Sequence, residues 1–355
     1  MSDRRAADAD APHEGAPQGS AHDNSAHDNS AHDSSAHDNS ALGSAHGGDE
    51  RWRPGRSGRR RPPPWTHALA EGTDAGFFGP GSAVWAVNGA LPTLVAGIRA
   101  LLLQTLHPGA MAGVHDWSRY HEDPLGRLDG TVRWVATTTF GDRASATAAS
   151  AFVSRLHEHV TGTYVDARGA ERAYAANDEE LLRWVHDAFT EAFLGAHATW
   201  GGTIPGGPDA YVREWAQAGR LMGVANPPTS VAELHAQMDA FLVEAKPDAR
   251  VAEAMRFLRK PGLPGMTGRV YPILFGGAVA SLDRRQRRLL GLRRPWWPAV
   301  TLTRAFLVFG VRVLGRTSPS EQNARARIAR LEAAQTPAPA PTAEQASGPE
   351  PALEG

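Results

Sequence analysis

Hydrophobic residues recur at helical spacing through the middle of the chain. From Leu91 to Thr105 the apolar positions are three and four residues apart, which is typical of a buried helix face. A second stripe follows Asn177-Asp178-Glu179-Glu180, a polar and acidic start that suits a helix N-terminus. Further helices are predicted over 143–161, 208–223, 230–245, 248–259, 268–290 and 299–315. Strand alternation is scarce, so the sequence predicts an all-α fold.

Both ends of the chain lack this pattern. Residues 1–50 contain four polar pentads (AHDNS, AHDNS, AHDSS, AHDNS), which have too little apolar surface to offset the entropy of ordering. A basic, proline-rich stretch follows, RWRPGRSGRRRPPP. We therefore expect a disordered tail and linker over 1–64, one helical domain over 65–320, and a helix end with a second disordered tail over 321–355.

The composition of the chain excludes several kinds of partner and site. Lys and Arg number 37 against 38 Asp and Glu, so the net charge of −1 gives no overall attraction to nucleic acid or to an anionic membrane, and any such partner must be bound locally. The chain has no cysteine, which excludes disulfides, thiolate catalysis, Fe–S clusters and cysteine zinc sites. The N-terminus has two arginines but no apolar signal core after them, so the expected location is the cytoplasm.

The most apolar run is Trp296 to Gly315, WWPAVTLTRAFLVFGVRVLG. Arg304 and Arg312 interrupt it and Pro298 breaks its start, which disfavours a membrane-spanning helix. Two alternatives remain open, a helix packed on the core and an amphipathic helix at a membrane surface. Peripheral membrane contact is thus one expectation for this chain.

Histidines in predicted helices are the most unusual polar residues. The sequence has no GxSxG elbow, P-loop, HExxH motif or dinucleotide fingerprint after a strand. On the helix that follows Asp142, His157 lies four residues after Val153 and beside Leu156, so it is expected to point inward. His159 lies about 200° further round the helix, on its polar side. His157 is therefore either a metal ligand or a core histidine.

Other polar residues are weaker candidates. His186 also follows an apolar stripe, and His107 precedes Pro108, which indicates a kink or a helix end. Arg127 and Thr131 share a face if their segment is helical, where they could clamp a carboxylate and donate to bound oxygen. A predicted loop gathers side chains that could form a two-histidine, one-carboxylate iron site or simply a charged surface: His115, Asp116, His121, Glu122 and Asp123.

Three segments together resemble a known family. They are LLLQTLHPGAMAGVHDWSRYHEDPLGRLDGTVRWVATTTFG (101–141), SRLHEHVTG (154–162) and DEELLRWVHDAF (178–189). In this order they are similar to the core of the haem-b oxygenases that include MpaB and the latex clearing protein, a rubber oxygenase. The resemblance covers roughly residues 77–292.

The resemblance implies a mainly helical domain that buries one haem b and cleaves carbon–carbon double bonds of isoprenoid chains with dioxygen. The proximal iron ligand falls on His157, and the distal Arg and Thr fall on Arg127 and Thr131. His107 and His186 are expected near the haem pocket, as packing or supporting residues. Rubber oxygenase has a lysine just before the distal Thr, where this chain has Gly130. A lysine that caps the iron is therefore not expected.

The leading hypothesis is a haem-b-dependent oxygenase, or a related oxidoreductase, that uses dioxygen and a small apolar substrate such as an isoprenoid. One alternative is a non-haem metal oxygenase that uses His115, His121 and a carboxylate. The other is a non-catalytic helical module that binds haem or lipid.

Overall fold

A computed structural model describes residues 63–118, 123–243 and 249–335. After a 3₁₀ helix (Pro64–Ala70), the α-helices are α1 (Ala83–Asn88), α2 (Thr93–Gln104), α3 (Pro108–Trp117), α4 (Pro124–Phe140), α5 (Arg143–His157), α6 (Glu179–Trp200), α7 (Gly207–Leu221), α8 (Val231–Leu242), α9 (Ala249–Arg259), α10 (Gly265–Ser281), α11 (Arg284–Leu289), α12 (Ala299–Leu314) and α13 (Pro319–Gln335). The all-α prediction is confirmed. Residues 1–62 of the predicted N-terminal tail and linker (1–64), and residues 336–355 of the predicted C-terminal segment (321–355), lie outside the described residues.

Two helices form the centre of the core. α6 is 22 residues long and packs along α2, which is the most extensive contact between two helices in the described part of the chain. The indole Nε1 of Trp184 donates to Gln104 O (3.2 Å), and the buried Arg99 forms an ion pair with Glu191 (3.4 Å). These polar contacts satisfy groups that the apolar packing of α2 on α6 removes from water.

Helices α4 and α5 form a tight hairpin. Asp123 caps α4, accepting from Gly126 N (2.9 Å), and Asp142 caps α5, accepting from Ser145 N (2.9 Å). Only Gly141 and Asp142 join the two helices, so they pack as antiparallel neighbours. The first turns of α4 therefore lie beside the last turn of α5.

A two-stranded sheet follows α5, where the sequence pattern had predicted helix to residue 161. That boundary was wrong, because α5 ends at His157 and β1 (Thr161–Val165) pairs antiparallel with β2 (Glu171–Ala175), Tyr164 opposite Arg172. Thr161, Thr163 and Val165 occupy every second position of β1, and these β-branched residues favour extended backbone. The hairpin packs on α3 through a small cluster of buried side chains, which are Ala112, Tyr164, Tyr174 and Leu181.

Two other predicted boundaries were wrong. The single helix predicted over 268–290 is two helices, because Asp283 caps α11 in a reciprocal pair with Gln286. His115 and Asp116, predicted in a loop, lie in the last turn of α3. His121 and Glu122 of the same predicted loop lie outside the described residues.

Helix α12 packs on α10 by one face. Thr303 Oγ1 donates to Ile273 O (3.0 Å), and Trp297 lies against Gly276. Ala299, Thr303, Leu307 and Gly310 are the buried positions of α12. Among the described helices none has the length and apolar content needed to cross a membrane.

Candidate functional site

His157 is the last residue of α5 and is partly buried. Its pKa is lowered, first by burial and then by the positive charge of Arg127, while an interaction with Asn177 acts in the opposite direction. Both main causes disfavour the protonated imidazole. His157 is therefore neutral near pH 7, which is the state that a metal ligand needs.

Asn177 contacts this imidazole from the start of α6. Its Nδ2 donates to Ser154 O (2.9 Å), which fixes the amide beside α5. Within the described residues, neither Nδ1 of His157 nor Oδ1 of Asn177 has a partner in full hydrogen-bond geometry, although both atoms are buried. The sequence placed Asn177 only at a helix start. No local pattern could show that it reaches the end of α5.

Arg127 and Thr131 lie one turn apart on α4, as their spacing predicts for a helix. Arg127 Nη1 donates to Ser118 Oγ (2.8 Å), and Thr131 Oγ1 donates to Arg127 O (3.3 Å). Both side chains are exposed. The α4–α5 hairpin brings Arg127 into electrostatic range of His157, so a cation, a hydroxyl group and a neutral imidazole occur at one end of it.

Apolar side chains accompany these polar groups on α4. Leu128 and Val132 are 44% and 46% exposed. At about 100° per residue, Thr131, Leu128 and Val132 fall within an arc of about 100° on the helix. This face can therefore contact an apolar ligand.

His186 lies on the inner side of α6, against α7. A Cβ added at Gly219 would come within 3.0 Å of the His186 ring, so the imidazole packs directly on that glycine. Burial, followed by the charge of Arg220, lowers the pKa of His186 to about 4. Its buried Nε2 lacks a hydrogen-bond partner among the described residues. His186 is thus a second neutral imidazole.

His107 caps α3. Its Nδ1 accepts from Gly109 N (3.2 Å) and Ala110 N (3.4 Å), and its ring packs against three aromatic side chains, those of Tyr164, Trp184 and Phe241. The lone pair of Nδ1 is therefore used by the backbone. This geometry favours a structural role for His107. It caps the helix at the boundary that Pro108 predicts.

Both ring nitrogens of His115 face carboxylates. Nδ1 lies 2.8 Å from Asp116 Oδ1 and Nε2 lies 3.3 Å from Glu253 Oε2, and these hydrogen bonds raise the pKa of His115, the one to Asp116 most. In the part of the chain that the structure describes, no group of three or more His, Cys, Asp or Glu side chains is arranged to hold a metal ion.

Asp187 is a buried carboxyl group that the sequence did not single out. It has no exposed surface, and neither of its oxygens has a hydrogen-bond partner within the described ranges. Burial raises the pKa of Asp187 to about 8; Glu179 adds to this effect and Arg183 opposes it. The group is therefore mostly protonated at neutral pH.

Comparison with known families identifies the domain that carries these residues. Residues 85–323, more than half of the chain, match the family described as ER-bound oxygenase mpaB/B'/Rubber oxygenase, catalytic domain. The chain belongs to this family. No curated protein and no solved structure matches it.

The MpaB/rubber oxygenase catalytic domain thus extends from α1 into α13. All five candidate site residues, His107, Arg127, Thr131, His157 and His186, fall within it. The match gives the domain an oxygenase-type function, in agreement with the sequence resemblance.

Proposed function

We propose that this chain is a haem-b-dependent oxygenase that acts on a small apolar substrate, and that His157 would hold the haem iron. The observation that carries the proposal is the position of His157. It is a neutral, partly buried imidazole at the end of a rigid helix, within electrostatic range of Arg127 on a neighbouring helix.

The residues at His157 fit an axial ligand. Haem iron needs one protein imidazole, commonly with its second ring nitrogen hydrogen-bonded to a carbonyl or carboxylate oxygen. Asn177 Oδ1 is a buried amide oxygen that interacts with His157, and His157 Nδ1 is buried without another partner in the described residues. If Nδ1 carries the proton, the Nε2 lone pair would be left for iron.

The proposal needs no cluster of metal ligands, because the porphyrin supplies four of the donors. The absence of such a cluster in the described residues is therefore compatible with haem. When bound, haem b would supply the redox chemistry that activates dioxygen.

Arg127 and Thr131 would act on bound groups, Arg127 through its positive charge and Thr131 through its hydroxyl group. Arg127 would orient an anionic group, either a haem propionate or the polarised end of the substrate, because a guanidinium holds carboxylates in fixed geometry. Thr131 would donate a hydrogen bond to a bound ligand in place of its present hydrogen bond to Arg127 O. The present bond is long, at 3.3 Å.

The substrate class follows from the apolar surface. Leu128 and Val132 flank Thr131 and are only half covered. An alkene or isoprenoid chain bound here would bury these side chains. Each Å² of apolar surface removed from water would stabilise the complex by about 25 cal/mol.

The test is an absorption spectrum of the purified chain after expression with adequate haem supply, followed by oxygen-uptake measurements with isoprenoid alkenes. The proposal predicts a Soret band and oxygen consumption that depends on the alkene. A Soret band without oxygen uptake would favour a haem-binding module, and oxygen uptake that depends on added iron without a Soret band would favour the non-haem alternative.

A further inference from the structure

Helix α12 presents an apolar face to solvent. Its inner positions pack on α10, but Leu302, Phe309 and Val313 are 46%, 64% and 63% exposed. At about 100° per residue these three positions fall within an arc of about 40°. Val308 and Leu314 are exposed as well, but they lie about 100° away on either side of this face, so the apolar stripe consists of Leu302, Phe309 and Val313.

Two adjacent tryptophans mark the N-terminal end of this face. Trp297 turns inward against Gly276, whereas Trp296 is 96% exposed. Packing in the core explains Trp297 and leaves Trp296 without a structural role within the domain. A large indole at the edge of an apolar stripe is typical of proteins that contact the membrane interface.

The charges beside the stripe have one sign. From Arg284 to Ser320 the chain has nine arginines and no Asp or Glu. Four exposed arginines lie near the apolar stripe in sequence: Arg293, Arg294, Arg312 and Arg316. Among the described residues none of these four forms an ion pair. Arg304 lies on the far side of α12, where its Nη2 donates to Thr199 O.

We infer that this α12 face, the stripe of Leu302, Phe309 and Val313 with its flanking arginines, docks on the surface of an anionic lipid bilayer. Apolar side chains would enter the boundary between headgroups and acyl chains, while the arginines would remain at the phosphate level. The helix would lie in the plane of the membrane, since it is too short and too interrupted by charge to cross it.

Two other occupants fit the face less well. A symmetric contact with a second copy would bring Arg312 of both copies close together, and like charges at short range repel. The ends of this chain, over 1–62 and 336–355, contain only four large apolar residues, Met1, Leu42, Trp52 and Leu353. They lack the apolar surface needed to cover the stripe.

Vesicle co-sedimentation of the full chain tests the inference. We expect binding to vesicles of phosphatidylcholine mixed with phosphatidylglycerol, weaker binding to phosphatidylcholine alone, and weakening by salt. Phe309→Ser combined with Val313→Ser should reduce the apparent affinity at least about tenfold. Val165→Ser, a matched change at an exposed valine (51% exposed) in β1, should have no effect.

A second pair of variants tests the arginines. Arg312→Gln combined with Arg316→Gln should reduce both the affinity for anionic vesicles and its salt dependence, whereas Arg168→Gln in the turn of the β-hairpin should change neither. Helical circular dichroism should be unchanged in all variants. Absence of vesicle binding, or equal binding by the Phe309/Val313 variant, would overturn the inference. So would a dimer in lipid-free light scattering that the same variant dissociates, because the occupant would then be a second copy.

Discussion

Arg127 helps to keep His157 neutral across the end of the α4–α5 hairpin, an effect second only to burial of the imidazole. The short Gly141-Asp142 connection makes this possible, since it places the first turns of α4 beside the last turn of α5. Arg127 and His157 belong to separate sequence motifs, and the α4–α5 hairpin brings them close together.

Removing this charge should change both titration and turnover. In Arg127→Ala we expect the pKa of His157, measured by NMR on the haem-free protein, to rise toward its ordinary value of 6.5. Haem should still bind, while oxygen-dependent turnover should fall by about tenfold or more. Arg168→Ala, at an exposed arginine in the β-hairpin, is the control. An unchanged His157 pKa would mean that the two side chains are not coupled.

Asn177 should matter for haem affinity although it is not a ligand. Asn177→Leu removes the oxygen that interacts with His157, and loss of such a supporting partner typically weakens metal binding about 10- to 100-fold. Haem titration followed at the Soret band measures the change. Asn226→Leu, at an exposed position before α8, should bind haem as the wild type does. Equal affinity of both variants would remove Asn177 from the site.

The buried pair His186 and Asp187 should shape the dependence of stability on pH. The folded pKa of Asp187 is raised from 3.8 to about 8, so its contribution is lost as pH rises between these values. The folded pKa of His186 is lowered from 6.5 to about 4, so its contribution is lost as pH falls between those values.

These two effects oppose each other between about pH 4 and 6.5, and above that range only Asp187 titrates. We expect the free energy of unfolding to fall by about 2 kcal/mol from pH 6.5 to 8, at about 1.4 kcal/mol per pH unit. In Asp187→Asn most of this fall should disappear, as urea denaturation at several pH values would show; His115, whose pKa is also raised, accounts for part of the remainder. A parallel decline in the wild type and the variant would refute the assignment to Asp187.

Two helical glycines should respond to alanine in opposite ways. At Gly219 a Cβ would approach the His186 ring to 3.0 Å, so Gly219→Ala should destabilise the fold by about 1–3 kcal/mol through overpacking. At Gly97, in α2, no atom lies within 4 Å of the added Cβ. Gly97→Ala should therefore stabilise the fold by about 0.5–1 kcal/mol. Thermal unfolding of both variants measures whether each substitution stabilises or destabilises the fold. Unchanged stability of Gly219→Ala would show that His186 can move.

The sequence predicted the long helices but not the contacts between them. Periodicity gave α2 and α12 to within a few residues, because their apolar stripes are long. It extended α5 too far, since the residues after His157 form a strand that is stable only when paired with β2. The burial of Asp187 was also missed, because a single polar residue on an amphipathic helix is ordinarily expected to face solvent.

In the candidate site, too, the direction of a side chain on its own helix could be predicted, but its contacts with other elements could not. The inward direction of His157 could be predicted from Val153 and Leu156 on the same helix. Asn177 could not, because its contact with His157 depends on how α6 begins beside α5, which no local spacing encodes. The resemblance to the MpaB/rubber oxygenase family supplied the order of the motifs, and the match over residues 85–323 confirms the family.

The measurement that tests the central claim most directly is the haem absorption spectrum of His157→Ala beside that of His159→Ala. His159 is exposed in the turn after α5, so its replacement should leave the spectrum unchanged. His157→Ala should lose most of the bound haem or shift its Soret band strongly, because the iron loses its bond to the protein. Both proteins should retain helical circular dichroism. A normal haem spectrum in His157→Ala would contradict the account, and its loss in His186→Ala instead would move the ligand to α6.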